Sequence, residues 1–91
     1  MEQKFLDALE DARKQAEQLG LRIRPITEMK AAYRVLSGHR ESDGFFQLVE
    51  KGKGGLTLEA LAQKKQFAPL FTDEQANTAL TRLLDAGYTF R

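Results

Sequence analysis

Apolar residues recur at three- and four-residue steps along most of this chain, and the clearest stripe lies near its C-terminal end. Ala76, Ala79, Leu80, Leu83 and Leu84 fall on one face of a helix. Thr72 followed three residues later by Gln75 has the form of a capping box, in which the hydroxyl takes one orphan amide and the Gln side chain returns to the cap. Phe71, just before the cap, is placed to staple onto Ala76, and Asp73 and Glu74 put negative charge on the positive end of the helix dipole. Gly87 supplies the left-handed residue that ends the helix, with Tyr88 packing back over its last turn. The extended Tyr88-Thr89-Phe90 then predicts a short terminal strand.

A second stripe opens the chain. Over residues 2 to 19, Phe5, Leu9, Ala12, Ala16 and Leu19 alternate four and three residues apart, with Leu6 and Ala8 widening the face. Glu10 and Lys14 form a correctly oriented i,i+4 pair worth about 0.2–0.5 kcal/mol. Gly20 stops the helix. The stripe is short for a coiled coil, which needs sustained heptads, so packing within the domain is the favoured reading over a partner helix.

Between these two helices the pattern is more broken. Leu21 to Ile26 alternates apolar and basic residues and meets Pro25, which suits a short edge strand or an extended connector. Thr27 is placed to cap a second helix with Met29, Ala32, Tyr33 and Leu36 on its buried face, ended by Gly38. Ser42 or Asp43 is placed to cap a third, short helix carrying Phe45, Phe46, Leu48 and Val49. The KGKGG stretch at 51 to 55 breaks that helix. Thr57 caps a fourth through Leu58, Leu61 and Ala62, extending toward Gln66. The expected fold is therefore mostly α, about five short helices in one compact domain over 1–91. An N-terminal helical pair (1–38) precedes a three-helix half (44–91).

Composition changes this picture little. With 42% apolar and 30% charged residues, the 91-residue chain has the balance of a folded domain rather than a disordered one. There is no cysteine, hence no disulfide or thiolate chemistry. No apolar run approaches the ~20 residues a membrane span needs. The charged opening residues do not resemble a targeting peptide, so no membrane partner and a cytoplasmic location are expected. Net charge is +1, distributed unevenly: residues 22 to 65 carry nine bases and five acids. That basic middle is mild compared with a polybasic stripe.

Candidate chemistry is sparse. A lone His39 without cysteine cannot build a metal site with neighbours at ligand spacing, and it is expected to be a solvated loop residue. Ser42 lies near it but has no nucleophile elbow and no third group to orient a base. The acidic neighbours Glu41 and Asp43, and Asp73 and Glu74, fit caps and first-turn charges. KGKGG lacks the phosphate-loop spacing and is expected to be a flexible basic hinge, with Lys51 and Lys53 as the residues a nucleic-acid backbone or an acidic protein face would meet. Neither a catalytic site nor a cofactor is expected.

From Gly44 onward, Thr57, Leu61 and Ala62, then Ala76, Leu80, Leu83, Gly87 and Tyr88, occupy packing positions that resemble those of a winged helix-turn-helix. The resemblance covers about half the chain and implies a nucleic-acid-binding scaffold. Three features depart from it. The connector Gln63 to Phe71 is longer than the usual tight turn. The would-be recognition helix opens with Asp73 and Glu74, which repel phosphate. No basic wing follows. Its outward face is expected to carry Gln75, Asn77, Thr78, Thr81 and Arg82.

Two functions are consistent with these features. One is a non-enzymatic regulatory or protein-interaction module that docks a partner protein. The other is a nucleic-acid-binding regulator using Arg22, Arg24, Lys30, Arg34, Lys51, Lys53, Lys64 and Lys65, with Arg40 beside them. Homodimerisation is compatible with both, through a first helix whose apolar face exceeds what five short helices cover.

Overall fold

The computed structural model describes residues 1–88. Five α-helices and two 3-10 turns follow one another, and no strand occurs among the described residues. The helices are α1 (Glu2–Gln18), α2 (Met29–Ser37), α3 (Phe45–Glu50), α4 (Leu58–Ala62) and α5 (Asp73–Asp85). The 3-10 turns are Gly54–Leu56 and Lys65–Leu70. The 21–26 segment is an extended connector without a strand partner. The strand expected over Tyr88 to Phe90 falls, beyond Tyr88, outside the described residues.

Local signals set the helix ends. Thr72 Oγ1 accepts from the Gln75 amide at 3.1 Å while Gln75 Oε1 accepts from the Thr72 amide at 3.0 Å, the reciprocal box its spacing predicts. Thr57 caps α4 in the same way, accepting from the Ala60 amide at 3.1 Å. Three helices end in the same two-bond closure. After α5, Gly87 N–H donates to Leu84 O and Tyr88 N–H to Leu83 O. After α1 the donors are Gly20 and Leu21, and after α3 they are Gly52 and Lys53. Each closing glycine lies at positive φ, where any Cβ is strained.

Other ends differ from their predicted form. Helix α2 starts one residue late, on Glu28, with no side-chain cap; a box on Thr27 would require an acceptor at position 30, where a lysine stands. Helix α3 starts from left-handed Gly44, because Ser42 and Asp43 direct their side chains elsewhere. Asp43 Oδ2 accepts from the Arg24 amide at 3.3 Å. Helix α4 stops at Ala62 rather than near Gln66: Gln63 donates its side-chain amide to Ala76 O at 2.9 Å, and Lys64 turns extended. The chain then turns through Lys65–Leu70, which delivers Phe67 to the interior.

The main core lies between α1, α2, α4 and α5. Phe5 is at its centre, fully buried, with the rings of Phe67 and Phe71 edge-on at 5.0 and 5.1 Å. Phe71 also meets Tyr33 at 5.8 Å, so the residue before the α5 cap ties α5 to both N-terminal helices. Burying a side chain such as Phe5 contributes about 1.5–3 kcal/mol, and each edge-on pair about 0.5–1.5 kcal/mol more. Phe5, Leu9 and Ala12 of the α1 stripe enter this core, and Ala16 is buried as well. Most of the α1 apolar face is therefore covered from within the chain, with Leu19 at its end left 38% exposed. A smaller cluster joins Phe45, Ala60 and Leu83. KGKGG is folded into its edge rather than left as an open hinge. Gly54 is buried, and a Cβ there would lie 2.5 Å from the Tyr88 ring.

Candidate functional site

Helix α4 is one and a half turns long and buried at every position, so its single charged residue has no route to water. That residue is Glu59, fully buried. Its carboxylate accepts from the Ser42 amide at 2.9 Å, from the Ser42 hydroxyl at 2.5 Å and from Arg82 Nη1 at 3.2 Å. Arg82 Nη2 donates onward to the Gly38 carbonyl at 2.9 Å. The network binds α4, α5 and both ends of the 38–44 loop. No buried side-chain polar atom among the described residues lacks a partner.

Arg82 is the principal correction to the expected surface. Expected on the outward face of α5, it is 9% exposed. It sits three residues after Ala79 and beside Leu83, hence on the inner face of the helix, and its length lets the guanidinium reach Glu59. Leu84, expected in the buried stripe, is 57% exposed instead. Gln75 is occupied by the capping box and Thr78 is half-buried. The outer stripe of α5 is consequently Glu74, Asn77, Thr81 and Leu84, spaced three, four and three residues apart and all exposed. It holds no cation. With His39 and Glu41 from the neighbouring loop, the first three of these line a shallow groove that Arg82 also borders.

The remaining basic candidates, Arg22, Arg24, Lys30, Arg34, Arg40, Lys51, Lys53, Lys64 and Lys65, are all exposed. Arg24 and Arg34 come together on one cleft. Arg22 joins Arg24 at a groove beside Gly44. Lys53 belongs to a different groove, with Gln15 and Tyr88.

The Arg24–Arg34 cleft, of about 300 Å³, runs between α1, the 23–26 segment, α2 and the 41–43 loop. Its apolar wall includes Ile23, Ile26, Val35 and Leu56, all half-buried. At one edge lies Arg13, held by Glu10 and Glu17 on its own helix. This pairing replaces the expected Glu10–Lys14 contact. Hydrogen bonding to Arg13 lowers the Glu10 carboxyl below its ordinary value, and hydrogen bonding to Glu10 raises the Arg13 guanidinium.

Sequence reasoning missed Glu59. The signal was present: an acid inside Leu58-Glu59-Ala60-Leu61-Ala62, where a short apolar helix leaves no solvent face. The Ser42 hydroxyl is committed to Glu59, and His39 is exposed. Among the described residues, no group of three His, Cys, Asp or Glu side chains is placed to hold a metal ion, and no helix is long and apolar enough to cross a membrane. Compared with known proteins, the chain matches no family model, no curated sequence and no solved structure.

Proposed function

We propose that this chain is a non-enzymatic interaction module that acts by binding a partner protein through the outer face of α5. The observation that supports this reading is the withdrawal of Arg82 into the Glu59 pair. A helix that reads nucleic acid presents cations and hydrogen-bonding groups to phosphate and base edges. The only cation of α5 is turned inward, and its outer stripe runs from Glu74 through Asn77 and Thr81 to the exposed Leu84. An acidic-to-apolar stripe of this kind suits a protein surface with basic and apolar positions. Phe46, 58% exposed on α3, is a second large apolar side chain available for contact.

The alternative is a nucleic-acid-binding regulator built on the exposed basic residues of the middle segment, Arg22, Arg24, Lys30 and Arg34 foremost. One experiment separates the two. Immobilised protein is exposed to lysate of the native host at low and high salt, with and without nuclease, alongside the Leu84→Asp variant. The expected outcome is a protein band that survives salt and nuclease and is lost with Leu84→Asp. Nucleic acid that elutes steeply with salt, and is indifferent to Leu84→Asp, would replace this reading with the alternative.

A further inference from the structure

We infer that the Arg24–Arg34 cleft binds a small carboxylate with an apolar body, a property independent of the partner-binding face on α5. The cleft volume of about 300 Å³ stands at the lower end of the range of small-ligand pockets, roughly 300–1,000 Å³. Its walls are mainly aliphatic, and Ile23, Ile26, Val35 and Leu56 remain half-buried there, unlike the members of the main core. An apolar ligand body covers these side chains and gains the transfer free energy that the fold itself leaves unclaimed.

The polar groups around the cleft select the ligand's head. Most are already engaged. Arg13 holds Glu10 and Glu17; Ser42 donates to Glu59; Thr57 Oγ1 donates to Gly54 O at 2.8 Å and accepts from Ala60. The guanidinium groups of Arg24 and Arg34 are different. Both are exposed, and neither has an ion pair or side-chain hydrogen bond among the described residues. Guanidinium matches a carboxylate with two parallel hydrogen bonds, so these are the groups that recognise the ligand. Glu41 and Asp43 also border the cleft, and Asp43 faces the Arg24 amide. These two acids balance the two free arginines. With the charges cancelling across the cleft, a single carboxylate head is held by the directed hydrogen bonds of a guanidinium rather than by a net positive field, and a polyanion such as a nucleic-acid strand is disfavoured.

The test uses octanoate as the probe and follows amide NMR spectra of the intact protein during titration. Octanol, with the same apolar body and no charge, and acetate, with the charge and no body, are the controls. Octanoate is expected to shift the amides of Ile23, Ile26, Val35 and Leu56 saturably, with octanol and acetate each much weaker. Arg24→Gln and Arg34→Gln, both at exposed positions, are each expected to weaken octanoate about tenfold, the worth of one charge-assisted hydrogen bond, and to leave octanol unchanged. Octanol binding as well as octanoate would overturn the proposal. So would unaltered octanoate affinity in both variants, absence of saturation, or shifts centred on Phe46 and Leu84.

Discussion

Two arginines of this molecule each hold carboxylates, in contrasting settings. Arg13 lies on the surface of α1 between Glu10 and Glu17, three residues before it and four after it. Arg82 lies in the interior, 23 residues from Glu59 in sequence, and the same contact joins two helices and a loop. The chemistry is alike and the consequences are opposite. On α1 the Arg13 side chain is 19% exposed but Glu10 and Glu17 stay 37% and 52% exposed, so water still reaches the pair, which gains little and is screened by salt. In the interior neither charge can return to water unless the fold opens, so removing one strands the other.

The largest expected effect follows from breaking the interior pair. Arg82→Met leaves Glu59 buried without its cation and is expected to cost about 3–5 kcal/mol in urea denaturation. Adding Glu59→Met in the same chain is expected to recover part of that loss, since no charge is then stranded. A double variant as unstable as the sum of both singles would show that the two groups act independently. Ser42→Ala comes next, at about 1.5–3 kcal/mol for a hydrogen bond to a charged group, accompanied by loosening of the 38–44 loop.

Arg13→Gln is expected to lower stability in the same urea denaturation far less than Arg82→Met does. That smaller loss should vanish in about 1 M salt, where the screening length is about 3 Å, while the Arg82→Met deficit persists. The smallest effect is at high pH. Burial, with a contribution from Glu2, raises the Tyr33 hydroxyl above its ordinary value. The neutral phenol is therefore favoured in the folded state. Its stabilisation is complete below the unfolded pKa and is lost as pH rises through the raised one. Tyr33→Phe should flatten the alkaline limb of the stability profile, and an unchanged limb would exclude Tyr33 as its source.

The same contrast explains which features were legible in the sequence. Arg13 with its glutamates, Thr72 with Gln75, Thr57 with Ala60 and the glycines at 20, 52 and 87 interact within five residues, so spacing alone places them. Even so, i,i+4 spacing points Glu10 to Lys14, whereas Arg13, one residue nearer, takes it. Longer-range partners were not legible. Ser42 and Asp43 have the chemistry of caps, yet Glu59 and the Arg24 amide claim them instead. The charge of Arg82 predicts an outward residue, although its position beside Ala79 and Leu83 is that of an inward one. The candidate cleft is the least visible of all, because Arg24 and Arg34 come to line one cleft only in the folded chain.

The Ser42 amide gives its hydrogen to a carboxylate that is itself shut away from solvent. Its exchange with deuterium therefore requires that the loop lift and the acid lose a donor in the same event. One amide signal in the middle of the chain thus serves as a clock for the release of the 38–44 loop from Glu59. The exchange rate at Ser42, set beside those of the α4 and α5 amides, times the release of the loop against the separation of the helices it joins.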